Sequence, residues 1–401
     1  MNDIVLFDTA ERHDNLLPLS FTRPVADFRV GITTIAEKWK AATSADAVLY
    51  APVDYLRPKF APSPLPGGEH LFVAGNVIPD AALVNAAEKL TAGQGLAADD
   101  GALVAFRGTA ADFEARSYTP IIYKGDITAV RYVFDIFRLN GSCIIGDFRR
   151  LTFGRESMPL PESNTVIGKM TDDDGMPLLF IEEGADIQGV TINLSKGPVY
   201  IGRDAEVMEG ACLRGPLAVC DNAHVNMGAR VYGNTAIGPF CKVGGEVNNI
   251  VMFGYSNKSH DGFLGNAVIG EWCNIGAGVN ASNLKNDYSK IRIWNYASHS
   301  FMRTDLQFCG LIMGDHSKIG INCMLNTATV MGVAVNLHGA GFPRTFIPSF
   351  SEGSPAAGFS EVPMRKFFDI ADRVMSRRGL SLGDADREIF EAVREVAARL
   401  R

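Results

Sequence analysis

The sequence is poor in charge, and the charge it has is not clustered. Of its 401 residues only 21% are Asp, Glu, Lys or Arg, and 38 basic against 45 acidic side chains leave a net charge of −7. With no Lys/Arg-rich run, the electrostatic footprint of a nucleic-acid or membrane-surface partner is missing. No apolar stretch approaches the roughly 18 residues of a membrane span. The opening MNDIVLFDTAERHD carries acids where a secretory leader would be basic. These absences lead to the expectation of a soluble cytoplasmic protein that works on a small molecule, with neither nucleic acid nor membrane as partner. The seven cysteines form an odd set with no CxxC pair and no nearby HxxxH. Neither a disulfide framework nor a zinc site is therefore expected, and the cysteines read as small buried apolar residues.

What is abundant is glycine, 41 residues beside an apolar content of 47%, a mixture that suits repeated tight corners. Steps of six from Ile201 land on Val207, Leu213, Val219, Val225, Val231, Ile237 and Val243. Two positions before, the residue is usually small (Ala205, Ala211, Ala223, Ala229, Thr235, Cys241), and Gly202, Gly238 and Gly244 follow the aliphatic residue. The phase returns at Ile269 and Ile275, and again at Met313, Ile319, Leu325 and Met331. A repeat of this kind reads as short strands joined by sharp corners, with the aliphatic residue inside a narrow prism and three hexads to a triangular coil. Interruptions are expected from about Gly244 to Leu264 and from about Gly278 to Ile293. Function on a solenoid is usually placed at its ends and interrupting loops.

Before the repeat, strands alternate with helices. Apolar runs at Ile4–Phe7, Ala47–Tyr50, His70–Ala74 and Ala102–Phe106 are separated by helical patterns near 32–43 and 81–90, which argues an α/β unit with a largely parallel sheet. A linking helix is expected at Tyr132–Phe137, and Met158-Pro159-Leu160-Pro161 marks a boundary. The expected spans are 1–155 for the α/β unit, 156–345 for the coils, and 346–401 for a linker and helical tail. In the tail, Phe367, Ile370, Ala371 and Val374 share one helical face, and Ile389, Val393, Val396 and Leu400 another.

The hexapeptide run resembles the left-handed parallel β-helix of acyl- and sugar-nucleotide transferases. It is most similar to the acetyltransferase half of the bifunctional N-acetylglucosamine-1-phosphate uridylyltransferase/glucosamine-1-phosphate acetyltransferase family. The resemblance is carried by Lys258-Ser259-His260-Asp261-Gly262-Phe263-Leu264-Gly265, then Val268-Ile269-Gly270, Asn274-Ile275-Gly276-Ala277-Gly278 and Asn283. It implies His260 as general base on the acceptor amine and Asn274 as the group orienting the acyl carbonyl or the acceptor. It further implies Gly276 and Ala277 beside the thioester of acetyl-CoA or another acyl-CoA, with Asn283, Lys290, Phe263 and Lys258 at the acceptor sugar. The chemistry suits the set: an amine must lose a proton as it attacks a thioester, imidazole titrates near working pH, and amide donors can hold the oxyanion. At Phe263 the family has a tyrosine, so a hydroxyl donor is gone. The alternative reading of His260 is a surface histidine on an ordinary solenoid; the other six histidines read as structural or solvent-exposed.

The stretch Leu16-Leu17-Pro18-Leu19-Ser20-Phe21-Thr22-Arg23-Pro24-Val25 resembles the signature loop of sugar-1-phosphate nucleotidyltransferases. The family's glycine-rich turn is missing at Phe7–Glu11, its arginine position is Asn15, its lysine position is Val25, and its Gly-Asp is Gly75-Asn76. Triphosphate needs backbone N–H groups and cations, and a hard dication needs carboxylates, so the loop is incomplete. Arg12, Arg23 and Arg29, with Asn76, stay as nucleotide- or phosphate-binding candidates. Mg²⁺ is expected only if this unit is active, and no other metal site is expected.

Three functions follow as expectations, the first two being transferases. One is N-acyl transfer to an amino-sugar phosphate or sugar nucleotide, within UDP-N-acetylglucosamine biosynthesis by resemblance. The second is nucleotidyl transfer to a sugar-1-phosphate. The third is a non-catalytic scaffold that senses a nucleotide sugar. The resemblance also implies a homotrimer with the acyl site between neighbouring solenoids, because a prism's flat faces offer no deep pocket alone.

Overall fold

The apolar runs of the first 152 residues assemble into a six-stranded sheet in a computed structural model that describes residues 3–400. Its strands are β1 (Ile4–Phe7), β2 (Val48–Ala51), β3 (His70–Ala74), β4 (Gln94–Ala97), β5 (Leu103–Gly108) and β6 (Thr119–Ile122), in the order β2-β1-β3-β5-β4-β6. β2, β1 and β3 are parallel. β5 runs antiparallel to β3 and β4, and β6 parallel to β4. The sheet is thus largely parallel, as expected, with β5 alone running against the other five strands. β4 and the exposed edge strand β6 have no expected counterpart, since neither Gln94-Gly95-Leu96-Ala97 nor Thr119-Pro120-Ile121-Ile122 alternates.

The helices are α1 (Ala10–Asn15), α2 (Ile35–Thr43), α3 (Arg57–Phe60), α4 (Ala81–Glu88), α5 (Ala110–Glu114) and α6 (Asp135–Thr152). α2 opens on a reciprocal cap between Thr34 and Glu37. The short linking helix expected at 132–137 is instead the 18-residue α6. Its glycines weaken the helical pattern but serve packing. A Cβ at Gly141 would lie 2.1 Å from Asn234 Oδ1, and next to it Asn140 Nδ2 donates to the Asn234 carbonyl at 2.6 Å.

From Thr165 onward the chain winds as a parallel β-helix. Val199 pairs Leu217 and Leu217 pairs Thr235, while Glu206 pairs His224 and His224 pairs Lys242. Each rung therefore lies three hexads beyond the last. Strands Val199–Ile201, Glu206–Val207 and Cys212–Arg214 begin the first, second and third faces of one coil. Ile201, Val207, Leu213, Val219, Val225 and Val231 fill the interior at 2% exposure or less. Burying each such side chain contributes on the order of 1.5–3 kcal/mol. One corner repeats a non-glycine residue at positive φ: Asn222, Phe240, Tyr255, Trp272, His316, Ala334 and Phe350.

Neither expected interruption is placed as the repeat suggests. Between 244 and 264 the chain does not leave the coil: Glu246–Gly254 and Phe263–Glu271 are long strands in register with each other. The coil is merely shortened, since Arg230 pairs Glu246 only 16 residues on. The true excursion leaves after Ala281 and returns at Ile312, carrying an antiparallel hairpin, Arg292–Asn295 with Ser300–Arg303. The coils also continue to Ser354, past the expected limit of 345.

The tail forms α7 (Met364–Ser376) and α8 (Asp384–Arg399), which lie over the aromatic corner. Phe240, Tyr255, Trp272 and His316 stack coil upon coil with centroids 5.0, 4.3 and 6.1 Å apart. Phe367 of α7 and Phe390 of α8 meet the His316 ring edge-on. Lys59 in α3 reaches Asp386 at 2.8 Å. One continuous apolar core thus joins the sheet unit, the outer surface of the coils' first face and the tail, while the prism interior is a second core.

His316 is 5% exposed, and burial, reinforced by Lys318, Arg23 and Lys59, pushes its imidazole well below 6.5. Its ring stays neutral in the folded state while the unfolded chain protonates it. The His316 environment therefore costs nothing above pH 6.5 and costs stability as pH falls below it, by about 1.4 kcal/mol per pH unit. His316→Phe should remove that slope, making the variant's urea-unfolding free energy fall by about 2 kcal/mol less than the wild type's between pH 6.5 and 5. Equal slopes would contradict a neutral packed ring.

Candidate functional site

The corner between the second and third faces is built of backbone stacked on backbone. A Cβ at Gly244 would lie 2.1 Å from the Ser259 carbonyl oxygen, and one at Gly262 (φ +125) 2.1 Å from that of Val279. Only glycine admits so close an approach. On this corner His260 is exposed, and its imidazole makes no hydrogen bond among the described residues. The Asn274–Gly278 turn is the next coil of the same corner. Asn274 pairs Asn257, and the Gly278 N–H donates to the Asp261 carbonyl at 2.8 Å. His260, Asn274, Gly276 and Ala277 are therefore neighbours along one edge of the prism.

Phe263 leads from this edge across the third face. Its N–H donates to Asn280 Oδ1 at 3.0 Å. Its ring lies over Gly265, where a Cβ would meet Phe263 Cζ at 2.7 Å and Asn283 Nδ2 at 2.5 Å. Asn283 in turn donates to Asn266 Oδ1 at 2.8 Å, closing the far end of the strip. Lys290 stands on the excursion, exposed, with its ammonium on the Asp305 carbonyl at 2.7 Å.

Lys258 departs from its expected place at the acceptor sugar. It is 1% exposed and occupies an inward position, in register with Val243. Its Nζ donates to the carbonyls of Gly244 at 3.0 Å and His260 at 2.6 Å. Burial lowers its ammonium to about 8, against the opposing pull of Asp261. An inward side chain sealed by the prism does not reach a ligand.

In the sheet unit, two of the three arginines are committed to the coils. Arg23 faces Glu271 at 2.8 Å and also pairs with Asp315, to which the Thr22 hydroxyl donates at 2.7 Å. Burial alone would depress the guanidinium, but the two carboxylates outweigh it and hold it charged. Its charge is already matched, which leaves none to attract phosphate. Arg29 donates to the carbonyls of Phe253 and Ile32. Asn76 is 5% exposed; its Nδ2 donates to the Val130 carbonyl at 3.1 Å, and its buried Oδ1 has no partner. No group of three or more His, Cys, Asp or Glu that could hold a metal occurs among the described residues.

Arg12 differs. It lies over the Phe7 ring, donates through Nη2 to the Leu103 carbonyl at 2.6 Å, and keeps Nη1 buried without a partner. Beside it, at the carboxyl end of β1, burial raises the Asp8 carboxyl to about 6. The carboxyl ends of parallel strands are where α/β sheets form ligand crevices. Glu271 and Asp315 escape a reading of the sequence. Their only signal is a carboxylate after the glycine that follows an inward residue, in Ile269-Gly270-Glu271 and Met313-Gly314-Asp315.

Residues 4–156 match the family of sugar nucleotidyl transferases. No curated protein matches the chain. A hexapeptide transferase family protein from Anaplasma phagocytophilum is 14% identical over 58% of this chain and 92% of that one, with a TM-score of 0.24. The acetyltransferase domain of PglB from Neisseria gonorrhoeae, solved with acetyl coenzyme A, is 9% identical over 90% and 99% of the two chains, with a TM-score of 0.18. PerB from Caulobacter crescentus, solved with CoA and GDP-perosamine, is 8% identical over 89% and 97%, with a TM-score of 0.13. The parallel β-helix itself rests on the strand registers above.

Arg23→Ala would leave the buried Asp315 carboxylate and the part-buried Glu271 carboxylate without their shared cation. The variant should lose about 3–5 kcal/mol of unfolding free energy in denaturant titrations at neutral pH. A loss below about 1 kcal/mol, the size of a surface pair, would contradict the brace.

Proposed function

We propose that the chain is an acyl-CoA-dependent N-acyltransferase acting on an amino-sugar phosphate or a sugar nucleotide, with His260 as general base. One observation carries the reading: an exposed, unbonded imidazole on a rigid corner, directly beside the Asn274–Gly278 turn. In the reaction His260 takes the proton of the acceptor amine as nitrogen attacks the thioester carbonyl, and gives it to the departing thiolate. The turn has one N–H to offer the oxyanion. Those of Gly276 and Gly278 are spent on Ile319 and Asp261, which leaves that of Ala277. Asn274, exposed on the adjoining strand, orients the acyl carbonyl or the acceptor, while Phe263 and Asn283 form the strip along which the acceptor lies. Lys290 supplies a cation for its phosphate.

The reading includes left-handed coiling and a cytoplasmic homotrimer in which a neighbouring prism completes the site. It draws support from Tyr232 and Met324, each 39% exposed on the third face, two coils before and two coils after Phe263. A second reading, nucleotide or sugar-phosphate binding by the sheet unit, is favoured by Arg12 with its unpartnered Nη1 and by the family match of residues 4–156. Nucleotidyl turnover there with Mg²⁺ is less favoured, because Arg23 is already paired with two carboxylates and Asn76 offers a neutral amide where a hard dication needs a carboxylate.

The test is free-thiol release from acetyl-CoA with a panel of amino-sugar phosphates and nucleotide amino sugars. Release should require an acceptor, and His260→Ala should lower kcat by about 10²- to 10⁴-fold with little change in KM for acetyl-CoA. A wild type silent across the panel would overturn acyl transfer. Nucleotide-induced thermal stabilisation that disappears in Arg12→Ala would then support the sensing alternative.

A further inference from the structure

We infer that Lys258 is a positioning residue for His260, holding its main chain through the carbonyl so that the imidazole is carried from one fixed point of the corner. The inference rests on the reading of His260 as base. Along the second face the inward positions are Val207, Val225, Val243, Lys258, Ile275, Ile319 and Leu337, all buried to 2% exposure or less. A lysine in this series is costly, because a buried ammonium loses its hydration. No carboxylate pairs with it directly: Lys258 forms no ion pair among the described residues, Asp261 acts on it only from a distance, and both of its hydrogen bonds go to carbonyls. Coil packing alone would be served by another valine.

The hydrogen bonding of the corner shows what the lysine supplies. The carbonyl of Lys258 accepts from the Gly244 N–H at 2.7 Å, that of Ser259 from Asn226 Nδ2 at 2.8 Å, that of Asp261 from the Gly278 N–H, and that of Gly262 from the Glu246 N–H at 3.1 Å. The remaining carbonyl of the segment, on His260, has the Lys258 ammonium. Every carbonyl from 258 to 262 is thus held, while the His260 side chain is left free. The same ammonium ties His260 to Gly244 of the preceding coil, so the base is fixed relative to two coils at once. Preorganisation of this kind acts on the reacting geometry, not on affinity.

The test compares wild type with Lys258→Met, whose side chain suits the aliphatic slot but leaves both carbonyls without a donor. The His260 imidazole Cε1–H resonance, assigned by its loss in His260→Ala, should be single in the wild type and broadened or split in Lys258→Met. The kcat for acyl transfer should fall by about tenfold or more while KM for acetyl-CoA stays within about twofold, the signature of lost transition-state geometry. Either an unaltered His260 resonance or a wild-type kcat in the variant would overturn the inference. If Lys258→Met does not fold, Lys258→Gln, too short for the same two bonds, carries the same expectations. Should the wild type transfer no acyl group, the base reading fails separately and the resonance alone decides what Lys258 does.

Discussion

The width of the prism is the constraint on which the rest of this structure depends. Each face of each coil admits only one or two inward side chains, and the corners are tight enough that main chain rests on main chain, as at Gly244 against Ser259 and Gly262 against Val279. The interior is therefore committed to packing. Outward positions and corners are released for other uses, and each corner has one. The first bears the aromatic stack under the tail helices; the second bears His260 and the Asn274–Gly278 turn; the third bears Asn266 and Asn283. The proposed site is an edge rather than a cavity, and the proposal of a homotrimer follows from the need to enclose it.

The sheet unit is bound to the coils by charge as well as by apolar surface. The loop that resembles a nucleotide-binding signature delivers Arg23 to Glu271 and Asp315, and Arg29 to the Phe253 carbonyl. Cationic residues that would serve phosphate in a free-standing unit here brace it against the solenoid. Arg12 is not drawn into that brace and keeps a buried Nη1 without a partner.

The hexad from Ile201 to Val243 was legible because each inward residue is aliphatic and the steps are regular. The coil that follows was not, because two residues are dropped between Val231 and Val247, and a search by sixes loses phase there. Lys258 falls in that lost stretch. Its polar side chain does not announce an inward position, so residue type suggested a ligand contact where the register shows a core slot. Helix α6 was hidden by Gly141, whose missing side chain is what admits the Asn234 corner. The engagement of Arg23 is hidden for a different reason: its partner Asp315 lies 292 residues away, and no local spacing encodes such a pairing. His260 and the Asn274–Gly278 turn were legible as neighbours, since one coil's separation along the chain becomes direct stacking in space.

The most direct measurement of the central claim is a crystal structure of the protein with CoA and an amino-sugar phosphate. The account predicts the thiol sulfur beside the Ala277 N–H, with the acceptor nitrogen within hydrogen-bonding reach of the His260 imidazole. CoA seated away from the 258–278 corner, or an acceptor bound out of reach of His260, would contradict it.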